Sequence, residues 1–382
     1  MLEEILAQLA ALERDGLRRS RLVLEGAQGP RVRVDGRELL AFCSNDYLGL
    51  ANHPALIQAA QEGAERYGVG SGASHLITGH QAAHHRLEEE LAVVAGLPRA
   101  LLFSTGYMAN LGVASALLGR GDALFADRLN HASLNDAAVL SRARLMRFPH
   151  GDLEALGRQL AASKAMRKLV ATDAVFSMDG DIADLPRLLD LAERYDAWLL
   201  VDDAHGFGVL GEGGRGTLAH FGLRSSRIVY MATLGKAAGV FGAFAAGEPE
   251  LVEYLAQRAR SYIYTTATPP LLAHALSRSL ALIREEGWRR EHLRELVARL
   301  RAGVAGLPWK LLPSETPIQP LMIGASRDAV ELSRRLRERG ILVPAIRPPT
   351  VPQGTARLRV SLSAAHAPED VDRLVAALSE VQ

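Results

Sequence analysis

Two apolar segments of the chain end in residues that could do chemistry. AWLLVDDAHG carries Asp202, Asp203 and His205, and MATLGKAAG carries Thr233 and Lys236. A buried carboxylate needs a partner, and either the protonated ring nitrogen of a ligand or a salt bridge would serve. A lysine in a partly buried pocket can lose its proton and act as a nucleophile or base. A solvated surface lysine is the commoner alternative, so these segments indicate candidate catalytic residues and leave their roles open.

Other polar residues follow apolar runs at comparable places. Ser104-Thr105-Gly106-Tyr107 comes after the run ALLF and before a helical stretch, so its backbone amides could bind an anion. An ordinary strand–helix turn is the alternative. Ser177 follows another apolar run, and His131 lies in the polar segment NHASLNDA. Either residue could simply belong to a turn.

A histidine-rich stretch is the pattern that suggests a metal. His80, His84 and Glu88 are spaced four residues apart, with His75 and His85 nearby. One helical face could thus offer two imidazoles and a carboxylate to an ion. Since no second acidic or cysteine cluster completes a site, we predict a solvated helix near its N-terminus and no metal.

Short apolar runs alternate with helical stretches through the middle of the chain, and they predict the elements that position these residues. The runs occupy residues 100–103, 122–127, 144–148, 168–176, 197–203, 227–233 and 242–247. Buried strands alternating with helices predict an α/β fold with a mostly parallel sheet covered on both faces. Because ligands bind beyond the carboxyl ends of such strands, we expect the candidate residues at those ends.

The two ends of the chain differ from this central pattern. Residues 2–17 place leucine and isoleucine at helical spacing, and RVRVDGRELLAF indicates a hairpin that turns at Asp35-Gly36. After Pro269-Pro270 a long helical region runs to about residue 304, and alternating strands and helices follow. The sequence therefore predicts three parts. Residues 1–50 form an N-terminal segment that packs with the small domain, residues 51–270 form a large cofactor-binding α/β domain, and residues 271–382 form the small α+β domain.

Composition and charge argue against several classes of protein. Of the 382 residues, 48% are hydrophobic and 23% are charged, which suits a large buried core. The formal net charge of +1 gives no electrostatic reason to expect a nucleic acid or an acidic membrane surface as partner. The single cysteine, Cys43, excludes a disulfide within the chain, and the sequence shows neither a signal-peptide pattern nor a membrane-spanning run. We therefore expect a cytoplasmic protein.

Eight motifs occur in one order along almost the whole chain. They are SNDYLG (44–49), GSGASHLITG (70–79), STGYMAN (104–110), DRLNHASL (127–134), VFSMDGD (175–181), VDDAHGFGVLGEGGRG (201–216), TLGKA (233–237) and RPPTVPQGTARLR (347–359). As a set they resemble the α-oxoamine synthases, a branch of the fold-type I enzymes that use pyridoxal 5′-phosphate (PLP). The resemblance implies a fold-type I transferase with a large, mostly parallel-sheet domain and a smaller α+β domain. It also implies a homodimer whose active site lies at the subunit interface.

The resemblance assigns cofactor contacts residue by residue. Lys236 would link covalently to PLP and later act as a base, and Asp202 would pair with the pyridine nitrogen. His131 would stack on the ring, and Tyr107 would contact the phosphate through its backbone. The remaining implied contacts are His205 and Ser177 at the phenolic oxygen, Gly106 and Thr233 at the phosphate, and Thr265 and Thr266 at the phosphate held by the partner subunit.

The same resemblance assigns the substrate contacts. Asn45 and Arg359 would receive the amino-acid carboxylate, and Arg18 and Thr350 would contact the acyl substrate. The string over 347–359 favours the biotin-pathway members of the branch, which condense L-alanine with a pimeloyl thioester of coenzyme A or of an acyl carrier protein. Members that condense glycine with acetyl-CoA or succinyl-CoA are the alternative within the branch. A non-catalytic regulatory protein of the same fold is the alternative from another class.

Two positions depart from the pattern of the branch. Thr172-Asp173-Ala174 stands where relatives often have Thr-Glu-Gly, and His75 stands where arginine or glycine is usual. These departures bear on the acyl site and leave the cofactor assignment unchanged.

Overall fold

One helix and one hairpin begin the chain. In the computed structural model, which describes residues 1–14, 17–19 and 21–381, helix α1 spans Leu2–Arg14 and strands β1 and β2 span Arg31–Val34 and Arg37–Ala41. Asp35 and Gly36 join the strands with φ angles of 51° and 71°, the left-handed conformations of a two-residue hairpin turn. The hairpin prediction is confirmed. The predicted helix over 2–17 ends earlier, at Arg14, and its positions 15 and 16 lie outside the described residues.

A seven-stranded sheet forms the centre of the molecule. Its strands are β3 (Arg99–Phe103), β4 (Ala123–Asp127), β5 (Arg144–Phe148), β6 (Lys168–Asp173), β7 (Trp198–Asp202), β8 (Ile228–Thr233) and β9 (Ala243–Gly247). Their order is β3-β9-β8-β7-β6-β4-β5, and neighbours are parallel except that β9 runs antiparallel to β3 and β8. The predicted α/β fold with a mostly parallel sheet is confirmed.

Helices cover both faces of this sheet. They include α2 (Pro54–Tyr67), α3 (Ala82–Ala95), α4 (Gly106–Leu117), α5 (Ala132–Ser141), α6 (Leu153–Ala162), α7 (Leu185–Arg194), α8 (Thr217–Phe221) and α9 (Pro249–Arg258). Successive strand residues point to opposite faces, so Leu101 and Leu102 of β3 belong to core clusters on opposite sides of the sheet. Among the described helices, none combines the length and apolarity needed to cross a membrane.

The C-terminal part combines helices with short strands. Its elements are α10 (Arg260–Ile263), α11 (Pro270–Glu285), α12 (Trp288–Val304), β10 (Lys310–Leu311), β11 (Ile318–Gly324), α13 (Ser326–Glu338), β12 (Ile341–Leu342), β13 (Ala345–Ile346), β14 (Ala356–Ser361) and α14 (Pro368–Glu380). The predicted helical region to residue 304 is thus two helices, separated at Glu286-Gly287. β10, β11, β14 and β13 form an antiparallel sheet, and β12 pairs in parallel with β2. Helix α11 follows the predicted domain boundary at residue 270, but it packs against α2 and α3, which precede that boundary. The division into domains at this residue therefore stays a prediction.

The histidine-rich stretch is less exposed than predicted. A π-helical turn spans His75–Gly79 and precedes α3, and its His75 ring lies 5.2 Å from the ring of His84. His84 is fully buried and His75 is 7% exposed. The prediction of a solvated helix is therefore wrong for His84, because the preceding turn covers that face of α3. His85, on the next face, is exposed.

Candidate active site

Three neighbouring strands carry polar side chains to one edge of the large sheet. β6 ends at Asp173, β7 at Asp202 and β8 at Thr233, and Asp173 and Asp202 are direct register partners. Lys236 lies just beyond the end of β8, and His205 just beyond the end of β7. Because these strands are parallel, their carboxyl ends bring together residues from distant parts of the chain.

Lys236 lies against His205. Its Nζ is 2.8 Å from His205 Nε2, and His205 Nδ1 is 2.7 Å from the hydroxyl of Tyr47. Burial lowers the pKa of Lys236 to about 8, although the nearby carboxylates of Asp202 and Asp173 oppose that shift. Burial, and next the charge of Lys236, lower the pKa of His205 well below its ordinary value. An unprotonated amine beside a neutral imidazole is thus accessible near neutral pH, as a nucleophilic lysine requires.

Asp202 is held by a buried hydrogen-bond network. Its Oδ2 accepts from Asn110 Nδ2 at 2.7 Å, and its Oδ1 accepts from the amide of Ala204 at 3.1 Å. Asn110 Nδ2 also donates to Ser133 Oγ at 2.9 Å, and that hydroxyl lies 2.7 Å from His131 Nδ1. Asp202 and His131, which the resemblance assigns to the cofactor ring, therefore belong to one connected network.

A second carboxylate lies beside Asp202. Asp173 is buried and accepts from the backbone amide of His131 at 3.1 Å. Burial, and next the negative charge of Asp202, raise the pKa of Asp173 well above its ordinary value. Asp173 therefore takes up a proton more readily than an ordinary aspartate does. Asp202 is the carboxylate that Asn110 fixes in position, and the resemblance assigns it to the ring nitrogen.

The N-terminus of α4 and Thr233 form a cradle for an anion. Thr105 caps the helix by accepting from the amide of Met108 at 3.2 Å, and the first amides of α4 have no intrahelical acceptor. A Cβ on Gly106 would lie 2.6 Å from Thr233 Cγ2, so glycine lets the helix begin this close to β8. Thr233 Oγ1 is buried and has no hydrogen-bond partner among the described residues, which makes it a candidate donor to a phosphate oxygen.

Tyr107 can face this cradle through its backbone. Its side chain is exposed and its hydroxyl donates to Asp136. Its ring meets that of His131 edge-on, with centroids 6.5 Å apart. The amide of Tyr107, in the first turn of α4, is therefore the group that could contact a phosphate, as the resemblance implies.

Arg359, on β14, places a positive charge at the same site. Its guanidinium donates to Asn45 Oδ1 at 3.2 and 3.3 Å and to the carbonyl of Ser177 at 2.5 Å. It also donates to the Tyr47 hydroxyl at 3.4 Å, and that hydroxyl contacts His205. The structure thus brings Asn45 and Arg359 together beside the lysine, and their assignment to the amino-acid carboxylate stays a prediction. Ser177 contributes its carbonyl to this contact.

Thr265 and Thr266 lie outside this network. Thr266 is exposed and pairs with Ser74 in an isolated β-bridge, and Thr265 is half-buried. Among the described residues, no hydrogen bond joins either threonine to the Lys236 network of the same chain. Their proposed contact with a phosphate therefore needs a second subunit.

The two residues assigned to the acyl substrate also lie outside the network. Arg18 is exposed and pairs with Glu13 at 2.9 Å. Thr350 is exposed in a turn in which its amide donates to the carbonyl of Arg347 at 3.1 Å. Arg347 in turn donates to the carbonyl of Arg18 at 3.5 Å, so the two segments are adjacent to each other. Their contact with an acyl chain stays a prediction.

Tyr47 and Asn110 were not predicted as site residues from the sequence, although each lies within one of the eight motifs. Asn110 comes four residues after Gly106, a spacing that places both on one helix face and could have indicated its role. Tyr47 is two residues from Asn45, but its contact with His205 spans 158 residues, and no local pattern predicts that.

These residues fit PLP on structural grounds. Lys236 would hold its aldehyde carbon, because the amine is buried and its pKa is lowered to about 8. Asp202 would hold its ring nitrogen, because the carboxylate is fixed by Asn110. The first turn of α4 would hold its phosphate together with Thr233, whose buried hydroxyl has no partner in the part of the chain that the structure describes.

Comparisons with known proteins identify the family. Residues 37–378 match the family described as aminotransferase class I and II. The 8-amino-7-oxononanoate synthase of Nitrosomonas europaea is 66% identical over 388 residues, which cover 100% of this chain and 99% of that protein. The structure of 8-amino-7-oxononanoate synthase from Francisella tularensis has a TM-score of 0.78 and 31% identity, and covers 90% of this chain and 97% of that one.

A further solved structure contains the cofactor. A variant of serine palmitoyltransferase from S. paucimobilis, with a bound PLP–myriocin adduct, has a TM-score of 0.93 and 29% identity. It covers 99% of this chain and 96% of that one. The chain therefore belongs to the aminotransferase class I and II family, as a PLP-dependent member of its 8-amino-7-oxononanoate synthase group.

Proposed function

We propose that the chain joins L-alanine to a pimeloyl thioester in the biotin pathway. A carbon–carbon bond forms between the alanine α-carbon and the thioester carbonyl carbon, the carbon–sulfur bond breaks, and the alanine carboxylate leaves as carbon dioxide. The products are 8-amino-7-oxononanoate, carbon dioxide and a free thiol. The observation that carries this proposal is the contact of the half-buried Lys236 with the buried His205 beside Asp202, in a chain that is 66% identical to an 8-amino-7-oxononanoate synthase.

Lys236 moves the proton at the reacting carbon. PLP supplies an electron sink for the electron pair that the α-carbon retains when its proton is removed. With PLP and the amino acid bound, Lys236 Nζ would act as the base that takes up this proton. The lowered pKa of about 8 keeps a useful fraction of that amine unprotonated near neutral pH. His205, 2.8 Å away, orients the amine, and its neutral ring places no positive charge beside the ammonium that forms when the amine takes up the proton.

Arg359 and Asn45 bind the amino-acid carboxylate. The guanidinium is already fixed by Asn45 Oδ1, by the Ser177 carbonyl and by Ser361 Oγ at 2.8 Å. A guanidinium held in this way loses little side-chain entropy when it binds a carboxylate. Because Tyr47 connects Arg359 to His205, the carboxylate would be bound on the side of the site nearest the base.

The active unit is a homodimer. Thr265 and Thr266 would reach the phosphate of the partner subunit, because neither joins the Lys236 network of its own chain among the described residues. Helix α1 supports association, because it has no buried residue and exposes Leu2, Ile5, Leu6, Leu9 and Leu12. Apolar side chains in such a row are more stable against a partner surface than in water.

The acyl donor is a thioester of coenzyme A or of an acyl carrier protein. Arg18 and Thr350 would contact it, since the segments that carry them meet through the Arg347 side chain. A cytoplasmic location fits both the single cysteine and these substrates. We propose no nucleic-acid partner and no membrane surface.

A substrate panel tests this function. The PLP-loaded protein is mixed with L-alanine and pimeloyl-CoA, and both free thiol and 8-amino-7-oxononanoate are measured. Glycine with acetyl-CoA and glycine with succinyl-CoA are the comparison pairs. We expect equal amounts of thiol and keto-amine product with the first pair. Absence of both products, or a faster reaction with glycine, would overturn the proposal.

A further inference from the structure

A cluster of metal-binding residue types lies apart from the lysine network. It consists of His75 in the π-helical turn and His80, His84, His85 and Glu88 at the start of α3, and we call it the histidine cluster. It borders a cavity of about 300 Å³ that is also lined by residues of β3 and α9. None of its members contacts Lys236, Asp202 or Arg359 by a hydrogen bond among the described residues.

His84 has a structural role within the cluster. Its Nδ1 accepts from the amide of Gln81 at 3.0 Å, so its Nε2 carries the hydrogen and donates to the carbonyl of Thr268 at 2.7 Å. Both ring nitrogens are therefore engaged. An ion could bind His84 only by breaking one of these bonds, which argues against a site built from His75, His80 and His84.

His80 is oriented by His75. The two Nδ1 atoms lie 2.9 Å apart, and the His75 ring is fixed by stacking on Tyr262, with centroids 5.0 Å apart. This contact uses His80 Nδ1 and turns its Nε2 towards Glu88, whose Oε2 is 3.9 Å away. A histidine that binds metal through one ring nitrogen usually has a hydrogen-bond partner on the other.

Glu88 is a partly buried carboxylate that forms no close ion pair with lysine or arginine among the described residues. Its Oε1 accepts from the amide of Leu102 at 2.8 Å. The neighbouring guanidinium of Arg99 pairs instead with Glu253 at 2.9 Å. His80 Nε2, 3.9 Å from Glu88 Oε2, is the second ligand atom at this point. A cation between the two side chains would compensate the carboxylate.

We propose that His80, His85 and Glu88 bind a divalent transition-metal ion of the Zn²⁺ type. Ligand atoms of these three residues all lie within 4.8 Å of one another, and His85 is exposed enough to rotate inward. Ligand bonds of about 2.0–2.2 Å to Zn²⁺ then require only small side-chain movements. Two imidazoles and one carboxylate suit Zn²⁺, Co²⁺ or Ni²⁺ better than Mg²⁺ or Ca²⁺, which prefer oxygen ligands. Water from the cavity completes the coordination.

The bound ion has a structural consequence for the loop before α3. It ties His80, which follows the π-helical turn, to the body of the helix. The same loop carries Ser74, which pairs with Thr266, and Ser71, whose hydroxyl donates to the carbonyl of Thr268 at 2.6 Å. Since the ion binds only the folded chain, it should raise the melting temperature of the protein.

Metal titration of the untagged, PLP-loaded protein tests the proposal. After EDTA treatment and its removal, Zn²⁺ is titrated in a calorimeter, and Co²⁺ is titrated while its visible ligand-field bands are followed. We expect one ion per chain and a higher melting temperature with Zn²⁺. His80→Ala and Glu88→Gln should each weaken binding at least tenfold, and the glutamine keeps an oxygen for the Leu102 amide.

His274→Ala is the matched control. His274 also contacts a glutamate, with Nε2 3.8 Å from Glu62 Oε2, but lies outside the histidine cluster. The affinity of the His274→Ala variant for Zn²⁺ should equal that of the unaltered protein. Because His85 is exposed, His85→Ala tests the same site without disturbing the fold, and should also weaken binding at least tenfold. Absence of stoichiometric binding, or equal affinity in His85→Ala and His274→Ala, would overturn the proposal.

Discussion

Lys236 Nζ lies 2.8 Å from His205 Nε2, and the other nitrogen of that imidazole lies 2.7 Å from the Tyr47 hydroxyl. The amine is therefore held by a neutral ring and not by a carboxylate in direct contact. Burial favours its uncharged form, while Asp202 and Asp173 act on it from a greater distance. This arrangement gives an amine that is both fixed in place and reactive near neutral pH.

The lowered pKa of Lys236 predicts how pH controls cofactor uptake. Only an unprotonated amine attacks an aldehyde, so the rate at which cofactor-free protein takes up PLP should rise with pH and level off above about 8. Stopped-flow absorbance over the neutral and alkaline range measures this rate. A midpoint at the ordinary lysine value of 10.5 would contradict the proposed environment.

The same shift affects the stability of the cofactor-free protein. Between about 8 and 10.5 the unfolded chain holds more protons at Lys236 than the folded chain does. Stability contributed by this residue therefore rises with pH through that window and is lowest below it. In urea unfolding at several pH values, Lys236→Ala should lose this rise. An unchanged pH dependence in the variant would count against the assignment.

Tyr47→Phe should impair both stability and turnover. The change leaves His205 Nδ1, and an Arg359 hydrogen-bond donor, without the hydroxyl that they contact. A buried polar group left unpaired costs about 1–3 kcal/mol, and a misoriented base should lower kcat about tenfold. Urea unfolding and steady-state kinetics measure the two effects. Tyr254→Phe, at a partly exposed position, is the control, and equal behaviour of the two variants would disprove the role of Tyr47.

Thr233→Val should weaken PLP binding and stabilise the cofactor-free protein. Valine has the shape of threonine but no hydroxyl, so it removes a buried Oγ1 that has no partner within the described residues. The loss of one bond to phosphate should raise the Kd for PLP about tenfold. Absorbance titration measures the Kd, and thermal unfolding measures stability. Thr355→Val removes a hydroxyl that donates to the carbonyl of Pro352 at 2.7 Å, and it should leave the Kd for PLP unchanged. An unaltered Kd in Thr233→Val would exclude the phosphate contact.

Local patterns in the sequence predict the large sheet well. The run over 227–233 ends at Thr233, where its strand ends, and the run over 197–203 ends one residue after its strand, which ends at Asp202. Because parallel strands present their carboxyl ends on one edge, this was enough to predict that Asp202, His205 and Lys236 lie together. The run over 168–176 is longer than its strand, which ends at Asp173 because the chain there turns to pair Val175 with Ile182.

Contacts between distant segments could not be predicted in this way. Tyr47 meets His205 across 158 residues, and Arg359 meets Asn45 across 314. Burial of His84 was missed because it depends on the π-helical turn before it, which hydrophobic periodicity does not reveal. Thr265 and Thr266 were found only through family resemblance, since their proposed contact lies on another subunit.

Trapping of the cofactor on the protein tests the central claim most directly. The PLP-loaded protein is reduced with borohydride, digested and mapped by mass spectrometry. Besides Lys236 the chain has only Lys164, Lys168 and Lys310, so each candidate can be resolved. We expect the reduced cofactor on Lys236 alone, its loss in Lys236→Ala, and its retention in Lys164→Ala. Reduced cofactor on any other lysine, or on none, would contradict the account.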